Sequence, residues 1–175
     1  MRIMLPRRLQ SVDSAITEWM AHFGTVLLRV SLGIVFLWFG GLKFFPNVSP
    51  AEGLATHTIG VLSGGVVSPT VALPLLAAWE CLIGIGLLLG RGLRGILLLL
   101  YVQMLGTLTP IILFPHEVFV RIPYAPTLEG QYIIKNLVLI SAGIVIGATV
   151  RGGRIVPEPP GDGIPHKRAS STAKR

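Results

Sequence analysis

Apolar residues along the chain gather into four blocks, each bounded by glycine, proline or charged residues. Each block is long enough to cross a hydrocarbon core as an α-helix, which takes roughly 20 residues. The pattern predicts spans over residues 23–45, 71–89, 93–114 and 132–150. Only Gly90-Arg91-Gly92 separates the second span from the third, so these two form an antiparallel pair. The expected fold is all-α: a four-helix transmembrane bundle with short interfacial helices.

The flanking segments carry weaker patterns. In residues 1–21 and just beyond, Leu9, Val12, Ile16, Trp19, Met20 and Phe23 recur at helical spacing opposite Gln10, Asp13, Ser14, Thr17 and Glu18. A basic, amphipathic stretch with a tryptophan beside a span reads as a short interfacial helix. After the first span, Ser49-Pro50-Ala51-Glu52 has the form of a capping box with proline at the first helical position. A short surface helix is expected from Pro50 towards Ser63, stopping at Gly64-Gly65. Residues 115–130 hold His116, Glu117, Arg121, Pro123, Tyr124, Pro126 and Glu129 and are expected to be an irregular surface loop. Residues 151–175, rich in Pro, Gly, Ser and Lys, are expected to be a disordered basic tail.

Composition and charge then orient the bundle. Of the 175 residues 51% are hydrophobic and 13% charged, whereas a soluble domain carries about a quarter charged residues. The net charge of +7 does not point to nucleic acid, because the basic residues cluster at one side of the spans. Arg2, Arg7, Arg8, Arg91, Arg94, Arg151 and Arg154 share that side, and the opposite side has only Arg121 clear of the spans. The bias predicts that both termini face the cytoplasm. The first span would act as an uncleaved signal anchor, in a bacterial inner membrane.

Charges inside spans cost about 2.5–3.5 kcal/mol each at a central position and normally face protein. Arg29, Glu80 and Lys135 lie inside spans, and Lys43 lies near the outer end of the first. Arg29, Gly33, Phe36, Gly40 and Lys43 share one helix face. Ala77, Glu80 and Gly84 share another, as do Gln103, Thr107 and Pro110 on the third span. On the fourth, Asn136, Ile140, Gly143 and Gly147 align beside Lys135. The packing glycines are therefore Gly33, Gly40, Gly84, Gly143 and Gly147. At 1.5 Å per residue, Arg29 lies roughly 10 Å and Glu80 roughly 15 Å above the cytoplasmic edge. These depths suggest an Arg29–Glu80 pair supported by Gln103, with Lys43 and Lys135 forming a basic mouth above it. Glu80 is then a candidate proton carrier, or a structural residue that sets helix register. For Lys43 alone, snorkelling to the outer surface is the favoured reading.

Other chemistry finds little support. A haem between spans needs histidines facing each other in the bilayer, and His22, His57, His116 and His166 lie at edges, in loops or in the tail. His57, His116 and Glu117 lack a fixed metal-ligand spacing, so no metal site is expected. The single cysteine, Cys81, excludes an intrachain disulfide. There is no hydrolase triad and no phosphate loop.

Residues Leu28 to Pro46, with Arg29, Gly33, Gly40 and Lys43, resemble the first-span signature of the DoxX-like superfamily. Glu80 followed by Ile83-Gly84-Ile85-Gly86-Leu87-Leu88 agrees, as do Thr107-Leu108-Thr109-Pro110 with Pro115, and Gly130 to Leu139. The set is most similar to the YkgB-type branch, a domain of unknown function whose members include the reactive-chlorine-resistance membrane protein C. That branch usually has Lys-Asp where this chain has Lys135-Asn136, which weakens the case for a second proton carrier. The resemblance spans about residues 22–150 and implies a four-helix membrane bundle with Arg29, Lys43, Glu80 and Lys135 at recurring polar positions. It also implies links to a thiosulfate:quinone oxidoreductase small subunit and to oxidative stress. The reading favoured is an accessory of membrane redox or oxidative-stress chemistry, rather than a stand-alone enzyme. It would bind a quinone, or a membrane or periplasmic oxidoreductase partner. The alternatives are a small-molecule or proton transporter or channel, and a structural subunit of a membrane complex. The expected surroundings are the lipid bilayer, with a homo-oligomer compatible and no nucleic acid.

Overall fold

The computed structural model describes residues 7–45, 47–49, 52–153 and 156. Its helices are α1 (Arg7–Leu42), α2 (Glu52–Leu62), α3 (Pro69–Leu89), α4 (Leu93–Leu108), α5 (Pro110–Leu113), α6 (Pro115–Val118) and α7 (Leu128–Thr149). A hairpin of β1 (Phe119–Arg121) and β2 (Ala125–Pro126) lies between α6 and α7. Four helical stretches are long and apolar enough to cross a membrane: Ser11–Leu42, Pro69–Leu89, Leu93–Leu113 and Leu128–Thr149. The fold is the expected all-α bundle. Nearly all of the predicted tail, residues 151–175, lies outside the described residues.

α1 runs without a break through the stretch expected to be a separate interfacial helix. At 1.5 Å per residue it is roughly 54 Å long, well beyond the ~30 Å hydrocarbon core. Continuity follows from composition: no proline interrupts Arg7–Leu42, and Gly24 alone is a mild weakness between the two halves. Val12, Ile16, Trp19, Met20 and Phe23 are exposed.

α1 packs chiefly on α3, antiparallel to it. Glycines set the spacing. A Cβ at Gly84 would come within 2.6 Å of the Leu37 backbone N and 2.9 Å of the Gly33 carbonyl, and one at Gly40 within 2.7 Å of Glu80 Cβ. α3 turns back into α4 through Gly90 and Gly92, at φ 67° and 62°, where a side chain would strain the backbone. α4 in turn packs on α7, where Gly143 receives the ring of Tyr101. The central core is Leu32, Phe36, Ile83, Leu87, Leu97, Leu100, Met104, Ala142 and Ile146. The outward faces stay apolar, with Trp38, Leu98, Leu105 and Val138 each more than 60% exposed. Such a surface fits lipid as its solvent.

Two segments add detail to or differ from the sequence reading. The third span runs over Leu93–Leu113 as expected, but with an interruption: α4 stops at Leu108 and α5 restarts at Pro110. Proline has no N–H to continue the ladder, and its ring crowds the preceding turn. The region 115–130, expected to be irregular, is instead ordered as α6, the β1–β2 hairpin and the first turn of α7. It encloses a second small core of Leu54, Val118 and Ile133. Thr127 ties it together. Its hydroxyl accepts from Gly130 N at 3.0 Å, which caps α7, and donates to the Glu117 carbonyl at 2.8 Å. Gly130 packs so closely on the Val118 carbonyl that no Cβ fits there. Thr127→Ala is expected to cost about 1 kcal/mol, the usual value of such a cap. A lower midpoint of detergent-solubilised unfolding would show it, and an unchanged midpoint would remove the cap from this account.

After the first span, the expected surface helix is present as α2. The Glu52 carboxylate accepts from the Asn47 backbone N–H at 2.9 Å, two residues before the Ser49 expected to form the box.

Candidate functional site

The α1–α3 register decides which polar groups meet. Gly33 faces Gly84 and Leu88, Gly40 faces Glu80 and Cys81, and Arg29 faces Gly90. Glu80 therefore sits level with Gly40. The rise from Arg29 to Gly40 is roughly 16 Å, beyond the reach of an arginine side chain. The expected Arg29–Glu80 pair does not form.

Arg29 instead lies at the C-terminal end of α3. Its Nη1 donates to the Leu87 carbonyl, and to that of Leu88 at 3.3 Å. These are among the last carbonyls of the helix, which lack intrahelical partners and carry the negative end of its dipole. Arg29 is a helix cap that joins α1 to α3 at the basic end of the bundle.

Glu80 pairs with Lys43. Lys43 Nζ is 2.5 Å from Glu80 Oε2 and also donates to the Phe39 carbonyl at 3.3 Å. Gln103 Nε2 donates to Glu80 Oε1 at 2.7 Å. Three elements thus converge: the turn after α1 supplies the ammonium, α3 the carboxylate and α4 the amide. The Lys43 and Glu80 side chains are 11% and 10% exposed, so the cluster is buried but touches the bundle surface. Lys43 turns inward rather than snorkelling, because the Glu80 carboxyl group lies within its reach. Gln103 Oε1 is buried and has no partner among the described residues.

The basic mouth is also corrected. Lys135 is exposed on α7, its Nζ 5.6 Å from the centre of the Tyr132 ring, and it takes no part in the cluster. Its neighbour Asn136 points inward and donates to Thr107 Oγ1 at 3.2 Å, joining α7 to α4. Thr107 lies one turn beyond Gln103 on the same face of α4. Spacing alone places both residues on inward faces, and the structure adds that they pair. Trp79 Nε1, which donates to the Leu99 carbonyl at 3.2 Å, gave no sequence signal.

Away from the cluster, His57 on α2 lies 3.4 Å from Glu117 and stacks on Phe114 at 4.1 Å. His116 does not join them, and no group of three potential metal ligands occurs among the described residues. Cys81 rests against α1, its sulfur 3.9 Å from the Leu37 carbonyl.

These features define a multi-pass membrane bundle with a buried Lys43–Glu80 ion pair between its first two spans. Residues 14–115 match the family model described as DoxX, and the chain belongs to the DoxX family. The matched segment contains Arg29, Lys43, Glu80 and Gln103, and ends before Lys135 and Asn136. No curated protein and no solved structure gave a match to the chain.

Proposed function

We propose that the protein is an inner-membrane accessory of redox or oxidative-stress chemistry in a bacterium. It binds a quinone headgroup at Lys43, Glu80 and Gln103 and presents it to a partner oxidoreductase. The observation that carries the reading is a charged, hydrogen-bonded cluster inside an apolar bundle that is still about a tenth exposed at its surface. A ligand dissolved in the bilayer can reach such a place. Apolar walls with a few placed polar groups are what small-ligand sites use. Phe39, Phe44 and Phe45 flank Lys43 and are exposed, which suits a flat ring. Electron transfer belongs to the partner, and the cluster supplies position and polarity.

The reading places both termini in the cytoplasm, because Arg91, Arg94 and Arg151 lie at one end of the bundle. The cluster then lies towards the outer leaflet, within reach of a membrane-bound or periplasmic enzyme. It also keeps the chain in the YkgB-type branch, on the strength of the motif from Gly130 to Leu139.

The test is extraction of the full chain into nanodiscs without added quinone, followed by mass spectrometry of bound lipids. The expected result is quinone enriched about tenfold over bulk membrane lipid, as a site worth roughly 1.4 kcal/mol would give. The double variant Lys43→Met with Glu80→Gln, which leaves no unpaired charge, should lose that enrichment. Equal quinone in both preparations, or none in either, would sink the proposal.

A further inference from the structure

Arg29 faces Gly90, the residue that caps the end of α3. The part of α1 before Arg29 therefore lies beyond the end of its main packing partner. From Ser11 to Leu28 that part is roughly 27 Å long. Among the described residues, the first buried side chain of α1 is Leu32. α3 alone, at roughly 31 Å, already crosses the ~30 Å hydrocarbon core. Arg91, Arg94 and Arg151 follow at the same end of the bundle. The projecting part of α1 thus extends past the hydrocarbon into water.

Its apolar residues are ordered. Val12, Ile16, Trp19, Phe23 and Val26 are each 44–56% exposed. They follow steps of four, three, four and three, the 3.5-residue repeat of a coiled-coil seam. Met20 and Leu27 widen the stripe, and Asp13, Thr17, Glu18 and Ala21 occupy the rest of the helix surface. A shallow groove at the start of the stripe is lined by Ser11, Val12, Ala15, Ile16 and Trp19. Four of these, Val12, Ala15, Ile16 and Trp19, stand at i, i+3, i+4 and i+7. Those are the corners of a hole that receives one knob from a facing helix. Ala15, the smallest of the four, gives the hole its depth.

We infer that the projecting half of α1 pairs with that of a second copy of this chain. The pair is a parallel, in-register coiled coil in which Ile16 of each copy fills the groove of the other. Parallel pairing follows from the shared orientation of two copies in one membrane. Two heptads are short for a free coiled coil. Here the helix is already nucleated by continuity with its span, and anchorage in one bilayer raises the effective concentration of each copy around the other. No charge lies on the seam, so no like charges meet. The bilayer surface is the poorer occupant. To lie on it, α1 would have to break near Arg29, where it is continuous and holds no proline. Between Arg8 and Arg29 it has no Lys or Arg, only the acids Asp13 and Glu18, whereas helices that rest on anionic lipid present Lys and Arg. The pairing does not depend on what the Lys43–Glu80–Gln103 cluster binds.

The test is disulfide trapping of the full chain in native membranes, in a Cys81→Ala background that leaves no other thiol. Ile16→Cys and Trp19→Cys place a thiol on the seam, and Thr17→Cys and Ala21→Cys place one on the opposite side. After mild oxidation the seam variants are expected to yield about tenfold more cross-linked dimer, a preference of about 1.4 kcal/mol for one face. Adding Phe23→Asp to the Ile16→Cys variant sets two carboxylates against each other in the seam and should bring its yield down to that of the opposite side. Equal trapping on both faces overturns the inference, and so does seam trapping that survives Phe23→Asp. No trapping on either face overturns it as well. A bimane label at Ile16→Cys that is then quenched by doxyl-labelled lipid would assign the stripe to the bilayer surface instead.

Discussion

Lys43→Met is expected to destabilise the folded protein by about 3–5 kcal/mol, the cost of leaving a buried charge without its partner. The Glu80 side chain is only 10% exposed, and among the described residues Lys43 alone gives it a charged partner. Its remaining donor is the neutral Gln103 amide. The decisive measurement is a double-mutant cycle on unfolding in detergent. Adding Glu80→Gln to Lys43→Met should recover most of the loss, because the uncompensated carboxylate is then gone. If Lys43→Met alone unfolds at the wild-type midpoint, the pair makes no contribution to the fold. The account of α1–α3 docking would then rest on packing only.

The second large effect is expected at Gly84. A Cβ there would press on backbone atoms of Leu37 and Gly33, at 2.6 and 2.9 Å, rather than on the end of a flexible side chain. The two helices can accept it only by moving apart, so Gly84→Ala should cost about 1–3 kcal/mol. Gly84→Leu should prevent the α1–α3 contact altogether. Gly24, also within α1, has nothing within 4 Å of where its Cβ would lie. Gly24→Ala should therefore stabilise by about 0.5–1 kcal/mol through helix propensity alone. The opposite signs of two identical substitutions make the comparison sharp. Should both behave alike, close helix approach would not be what sets the register.

Much of the fold could be read from the chain because it depends on one-dimensional properties. Length and apolarity define the spans, and Gly90-Arg91-Gly92 defines a tight turn. The membership of the polar cluster was also largely visible: Glu80, Gln103 and Lys43 all stood on inward faces. Their pairing was not, because it depends on the axial offset between two helices. A depth counted from the cytoplasmic edge sets Arg29 too far into the bundle, since Arg29 lies level with Gly90. Aligning Gly33 with Gly84 would have served better, since the closest approach between helices lies where both lack side chains. That alignment sets Gly40 opposite Glu80 and brings Lys43 within reach. The order of residues 115–130 was hidden for another reason. It comes from Thr127 and Gly130 meeting the backbone of residues 117 and 118, a contact with no periodic trace.

The Lys43–Glu80 pair also bears on how the chain is made. The partners are 37 residues apart, and Gln103 lies a further 23 beyond Glu80. During synthesis Lys43 reaches the membrane first, with no carboxylate to meet it. The span it follows, Ser11–Leu42, has a mean hydropathy of 1.9 and is long and apolar enough to cross a membrane. Glu80 follows in a span of mean hydropathy 2.1. The ammonium is thus made before the carboxylate it pairs with, and the Lys43–Glu80 contact exists only once the second span has been added.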